Sequence, residues 1–199
     1  NDDDVYIYTT LSDTATPTTT ATPDSGNAII DIAKEGYVIT TLHADGKIYK
    51  TTSAGTSTLF QTLSGATSLE YVKDYLIVGD ANVLKDATGS GTPTTIYTHP
   101  DTNYRWVDYT PGQSAIYALG GIGNRYQVHR ITIQEDGTAF STAIVAATLP
   151  DGEVGYSIGE YLGFIFIGTN NGIRMASMNS DGSLTLGPKI PTAQPVHCF

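Results

Sequence analysis

The sequence predicts an all-β fold, a β-propeller of four-stranded antiparallel meander blades, and three observations predict it. Short segments of alternating or continuous apolar residues recur along the 199 residues, separated by Gly, Asn, Asp and Pro. No stretch carries sustained helical periodicity. The segments also fall into groups of four whose spacing repeats, as the blades of a propeller must.

The clearest group runs from Glu153 to Ile190, EVGYSIGEYLGFIFIGTNNGIRMASMNSDGSLTLGPKI. Val154–Ile158 reads as a short first strand. Tyr161–Ile167 is a near-continuous apolar run, the pattern of a strand covered on both faces. Asn170-Asn171-Gly172 predicts a hairpin reversal into Ile173–Met178. Asn179-Ser180-Asp181-Gly182 then turns the chain into Ser183–Leu186.

The remaining groups follow the same plan. Residues 27–65 predict strands at Ala28–Ala33, Tyr37–Leu42, Lys47–Thr52 and Thr58–Leu63, with turns at Asp45-Gly46 and Ala54-Gly55. Residues 66–100 give Ser68–Val72, Tyr75–Val78, Val83–Asp86 and Thr94–His99. Residues 101–150 give Tyr104–Tyr109, Ala115–Leu119, Tyr126–Ile133 and Ala139–Ala147. The second strands open at Tyr37, Tyr75, Ala115 and Tyr161, at steps of 38, 40 and 46 residues. Pro17, Pro93 and Pro188 fall in or beside fourth strands, at the blade edge where a missing N–H breaks no ladder.

Both ends read as parts of blades. Residues 1–26 align with 127–152: an alternating strand (Val5–Thr10 against Val128–Ile133), a turn at Ser12-Asp13 or Glu135-Asp136-Gly137, a second strand and a Pro-containing close. This is a half blade of third and fourth strands. Residues 192–199, after the fourth blade at 151–191, read as the first strand of a further blade. The expectation is a single partial propeller, a fragment of a larger one, with its missing strands outside these residues.

Composition excludes several function classes. The formal charge is −10 and the pI about 4.5, so no nucleic-acid surface is expected, because that needs clustered Lys and Arg. Membrane insertion is not expected either, since no apolar run reaches spanning length. The single Cys198 allows no internal disulfide and, within an apolar strand-like stretch, is expected to be a buried, inert thiol.

Phe166-Ile-Gly-Thr-Asn-Asn-Gly-Ile-Arg-Met-Ala, then Asn179-Ser-Asp-Gly-Ser-Leu-Thr-Leu-Gly-Pro, then Pro195-Val-His-Cys-Phe, resembles the propeller repeat in minor tail proteins of tailed bacteriophages that infect actinobacteria. In that family an IGT..GVR.A strand pair, a GNLT.GP outer strand and a PV.CF inner strand recur in this order. The resemblance is sharpest over Gly163–Phe199. It implies a virion component at the tail tip, extracellular, partnered by other virion tail proteins and a host-surface glycan or protein. It implies no catalytic residue and no cofactor.

One constellation carries an enzyme alternative. The predicted first strands place Asp31, Glu70 and Asp108 at matching positions, with Tyr156 and His197 there in the last two groups. First strands line a propeller's channel, and converging carboxylates are what glycoside hydrolysis by a five-bladed propeller would use. Polar, solvated channel lining is the simpler account. The Asp-Gly pairs are explained by hairpin chemistry and carry too few oxygens for calcium loops. His43, His99, His129 and His197 lie in separate groups without ligand spacing, so no metal site is expected. Adhesion would use the blade-connecting loops Thr102–Arg105 and Gly120–Arg125. The thirteen tyrosines and Trp106 are read mainly as strand and core residues.

Overall fold

The protein is described as a computed structural model over residues 2–8, 15–112, 114–134, 140–141 and 143–199. These residues contain four four-stranded antiparallel sheets and one two-stranded sheet, and no helix. The two-stranded sheet pairs β1 (Val5–Ile7) with β2 (Thr19–Ala21). The first blade is β3 (Ile29–Glu35), β4 (Val38–His43), β5 (Lys47–Thr52) and β6 (Ser57–Thr62). The second is β7 (Ala66–Val72), β8 (Tyr75–Asp80), β9 (Val83–Asp86) and β10 (Thr94–Thr98). The third is β11 (Arg105–Gly112), β12 (Ala115–Ile122), β13 (Arg125–Thr132) and β14 (Ile144–Thr148). The fourth is β15 (Gly155–Tyr161), β16 (Phe164–Thr169), β17 (Gly172–Met178) and β18 (Leu184–Pro191). In every blade the strands pair in sequence order, the meander that the turn residues predict.

Apolar side chains on facing sheets make three cores, one between each pair of neighbouring blades. Leu42 and Ile48 of the first blade meet Leu69, Leu76 and Val78 of the second. Ile77 and Leu84 of the second meet Trp106, Ile116, Ala118 and Ile131 of the third. Leu119 and Val128 of the third meet Ile158, Ile165 and Ile167 of the fourth. Alternation along each central strand sends successive side chains to opposite neighbours, so a strand such as β8 is fully buried at Leu76, Ile77 and Val78.

The fourth blade departs from its predicted strands in its last strand, which runs on to Pro191 instead of ending at Leu186, and at its first hairpin. Leu162-Gly163, both at positive φ (51° and 81°), make the turn between β15 and β16, so Tyr161 ends the first strand and does not open the second. Type I′ geometry tolerates a non-glycine residue there because the right-handed strand twist favours that turn. The second strands accordingly open at Val38, Tyr75, Ala115 and Phe164. The same correction breaks the continuous apolar run: Ile165 and Ile167 are buried against the third blade, whereas Phe164 on the other face is 40% exposed. The turns at Gly46, Gly55 and Gly182 have the positive φ expected of them. Those expected at Ser12-Asp13 and Glu135-Asp136-Gly137 lie outside the described residues, as do Thr9-Thr10 and Ala139.

The register of β1–β2 pairs Val5 with Ala21, as β13–β14 pairs Val128 with Ala147. All four side chains are buried. The two-stranded sheet is tied to the first blade by the Ile29 N–H donating to the Asp2 carbonyl.

Candidate functional site

Each first strand carries a β-bulge at the same place. The register skips Ile30 between Ile29 and Asp31, Thr67 between Ala66 and Ser68, Val107 between Trp106 and Asp108, and Tyr156 between Gly155 and Ser157. A bulge sets two residues against one and re-aims the side chains beyond it. It also fixes which residues of different blades are equivalent. Asp31 and Asp108 match each other, and Ser68 and Ser157 hold their position in the other two blades.

The expectation of matching acids is corrected on this register. Glu70 lies two residues beyond the matched position, and Tyr156 occupies the bulge itself. An inserted residue shifts the count without leaving a sign in the local sequence.

The matched position bolts one blade to the next. Asp31 Oδ2 accepts the backbone N–H of Leu69 at 2.7 Å, and Asp108 Oδ2 accepts that of Ile158 at 2.8 Å. Their Oδ1 atoms accept the N–H groups of Ile32 and Tyr109. The serines work in the opposite sense: Ser68 Oγ donates to the Trp106 carbonyl and Ser157 Oγ to the Val196 carbonyl, each at 3.1 Å. Blades thus alternate between an acceptor bolt and a donor bolt. Across the ladder, Asp31 and Asp108 face Leu42 and Leu119, while Ser68 and Ser157 face Gly79 and Gly168. At Gly79 a Cβ would come within 2.5 Å of the Tyr109 hydroxyl and 2.6 Å of Trp106 Cβ, so glycine is what admits the next inner strand.

Val196 then corresponds to Trp106, which sets His197 at the bulge position and Cys198 level with Asp108. The Val196 N–H donates to the Thr169 carbonyl, and the His197 ring packs against that of Tyr156, tilted by 38° with centroids 4.4 Å apart. Cys198 is exposed, which corrects the expected buried thiol: the segment lies on one sheet face only, and its other side borders the channel.

The structure brings Asp31, Glu70 and Asp108 to one cavity of about 550 Å³, lined also by Tyr156, Glu160, His197 and Phe199. Burial pushes the Asp31 carboxyl up to about 6, against the lowering effect of the Leu69 and Ile32 N–H groups. Burial likewise raises Asp108 to about 6, opposed by the Ile158 and Tyr109 N–H groups and aided by the charge of Asp31. Glu70 is raised to about 7, first by burial and then by Asp108 and Asp31; the Tyr71 N–H alone opposes this. Three carboxyl groups in one cavity thus share a proton-binding range near neutrality.

The other predicted residues sit elsewhere. His43 is fully buried, with Nδ1 bonded to the Asn27 carbonyl and Nε2 to Thr41. His99 and His129, which the sequence separates, meet across the second blade interface with ring centroids 5.7 Å apart, packed with Tyr97, Tyr104 and Trp106. Burial and then His99 lower the His129 imidazole to about 4. No group of three or more His, Cys, Asp and Glu side chains among the described residues could hold a metal ion. In the Thr102–Arg105 loop the Arg105 guanidinium folds back on the Thr102 and Tyr104 carbonyls, whereas Gly123, Asn124 and Arg125 are exposed.

No protein-family model matches the chain, and no curated protein does. Solved structures match it at low identity. A gluconolactonase of Xanthomonas campestris superposes with a TM-score of 0.64 at 12% identity, over 81% of this chain and 60% of its own. A chain of the mitotic checkpoint complex gives 0.66 at 17% identity, over 92% and 60%. The extracellular domain of a one-component system of B. thetaiotaomicron gives 0.65 at 14%, over 99% and 28%. The chain is a β-propeller. It spans about 60% of the length of the gluconolactonase and of the checkpoint chain, and at these identities the likeness is one of fold alone.

Proposed function

We propose that this propeller is a non-catalytic structural and adhesive module of a virion, a minor tail protein at the tip of an actinobacterial phage tail. The observation that carries the non-catalytic part is the use of the channel acids. Asp31 and Asp108 each accept two backbone N–H groups and join neighbouring blades, a role that ties both oxygens to the scaffold. The virion assignment rests on the resemblance over Gly163–Phe199, whose Gly168 and Arg174 both have structural tasks in the fourth blade. Partners on this reading are other tail proteins and a host-surface glycan or protein, met by the loop Gly120–Arg125. The test is adsorption of labelled protein to actinobacterial cell envelopes. Saturable binding that is unchanged in Asp31→Asn supports the reading, and binding no greater than to other cells overturns it.

A second reading, hydrolysis of a glycan in the channel, draws on Glu70. Its carboxyl is pushed up to about 7 beside two further acids, the environment a general acid needs. Release of reducing sugar from host polysaccharide, lost in Glu70→Gln, would establish it in place of the first.

A further inference from the structure

We propose that the groove between the third and fourth blades holds a carboxylate-bearing sugar, a uronate unit, with its carboxylate on the Arg130 guanidinium. A small cavity of about 130 Å³ opens there, at the end of the molecule where β12 begins and β17 ends. Ser114, Tyr117, Arg130, Asn179, Ser180 and Gly182 line it. Both blades that wall it have all four strands, so its shape is set by residues of this sequence. It lies at the opposite end of β12 from the Gly120–Arg125 loop, and it stands whether or not the chain belongs to a virion.

The cavity holds a cation without a counter-ion. Arg130, partly buried on β13, donates from Nη1 to Thr132 Oγ1 at 2.8 Å. Among the described residues its Nε and Nη2 have no acceptor, and no carboxylate forms an ion pair with it. Arg174, by contrast, grips both Glu153 oxygens. The Arg130 fork is nevertheless fixed in place. A Cβ on Gly182 would fall within 2.7 Å of its Nε, Cδ and Cζ alike, so the glycine lies against the flat face of the guanidinium and not its edge. The buried Tyr117 donates its hydroxyl to the Gly182 carbonyl at 3.2 Å, which holds that turn. A guanidinium seated by its face and one Nη, with Nε and Nη2 left over, presents the parallel donors that grip a carboxylate side-on.

The lining sets the rest of the ligand's chemistry. One guanidinium balances one negative charge. Asp181, on the same turn, has a carboxyl held low first by Ser183 and last by the charge of Arg130. A second negative charge so near disfavours a dianion such as phosphate. The Ser114 and Ser180 hydroxyls lie on the exposed rim, where they suit the hydroxyls of a sugar ring. A second cavity of about 410 Å³, lined also by Gly112 and Gly163, shares Met178 with the first. It leaves room for the remainder of a saccharide whose acid sits on Arg130.

The test titrates the 199-residue protein with methyl β-D-glucuronide, followed by amide chemical shifts in NMR. Saturable binding in the millimolar range is expected, with the shifts centred on Arg130 and the Asn179–Gly182 turn. The neutral methyl β-D-glucoside should bind roughly tenfold or more weakly, as should the glucuronide to Arg130→Gln, because each loses the paired charge-assisted bonds. Ser180→Glu places a like charge on the exposed rim and should also abolish binding, so it decides the matter if Arg130→Gln does not fold. Lys50→Gln on the first blade should change nothing. The proposal is overturned if the glucuronide does not saturate, if the glucoside binds as tightly, or if the folded variants bind as the parent does. Equal binding by sodium sulfate would make this a general anion site, and equal binding by N-acetyl-aspartate amide would make the ligand an acidic peptide; either also overturns it.

Discussion

Asp108 Oδ2 accepts the Ile158 N–H at 2.8 Å across two inner strands that share no sheet, and the equivalent Asp31 does the same for Leu69 one blade-pair earlier. A side chain of one blade thereby satisfies a backbone donor of the next, which a sheet edge at a channel would otherwise leave to water. Replacing Asp108 with Leu removes the acceptor for two N–H groups, and the expected loss is about 2 kcal/mol of stability, within the range for orphaned donors. Asp108→Asn keeps an acceptor oxygen and is expected to lose less than half as much. Urea melts of the two variants decide it, and equal losses would show that charge, not acceptance, holds the bolt.

The serine bolts depend on glycine in the paired strand. At Gly168 an added Cβ would collide with Ser157 Oγ and with the Val196 carbonyl, and at Gly79 with Tyr109 and Trp106. Gly168→Ala and Gly79→Ala are therefore expected to cost about 1–3 kcal/mol each by overpacking. Gly91→Ala, with nothing within 4 Å of the new atom, is the control that should leave the melting temperature in place. A tolerated Gly168→Ala would mean that Pro195–Phe199 is held less closely than its hydrogen bonds indicate.

These relations mark what the sequence could and could not convey. Strand order, most turns and the blade count over residues 27–191 follow from apolar alternation and from Gly, Asn and Asp at turns, because those patterns are local. The Leu162-Gly163 hairpin was not legible, since a leucine at positive φ has no turn signature. The inner-strand register was not legible either: a bulge at Tyr156 or Thr67 is set by pairing with the second strand, not by the bulged residue. Counted along the sequence, Glu70 therefore falls level with Asp31, whereas the pairing gives that position to Ser68 and Ser157. The Asp-Ser alternation becomes visible only through partners nearly forty or more residues away.

The channel acids make stability depend on pH in an unusual sense. Asp31, Glu70 and Asp108 bind protons more tightly folded than unfolded, with carboxyls at about 6, 7 and 6. Each group favours the fold while protonated and loses that contribution as pH rises from about 4 through its folded value. His129, lowered to about 4, acts oppositely: its contribution is lost as pH falls from about 6.5 toward 4. The two effects offset each other below about 6.5, while from there to about pH 8 the acids act alone. The melting temperature is expected to fall over that upper interval, and the fall should shrink in the combined Asp31→Asn, Glu70→Gln, Asp108→Asn variant. A flat profile in the parent would show that the channel hydrates these carboxylates fully.

Arg174 fastens the fourth blade through Glu153, a buried carboxylate just before β15. Its Nε and Nη2 reach the two Glu153 oxygens at 2.6 and 2.8 Å, its Nη1 reaches the Gly187 carbonyl, and Lys189 adds a contact at 3.2 Å. First the hydrogen bonds from Arg174, then those from Lys189, hold the Glu153 carboxyl below its usual range against the effect of burial. Removing the guanidinium leaves a carboxylate with 7% of its side chain exposed beside one ammonium, so Arg174→Ala is expected to cost about 3 kcal/mol, near the lower end for breaking a buried pair. Arg174→Lys keeps the charge but cannot span both oxygens and the Gly187 carbonyl at once. It should recover less than half of the loss in a thermal melt. Full recovery by lysine would show that charge alone, without the planar fork, secures β17 to the start of the blade.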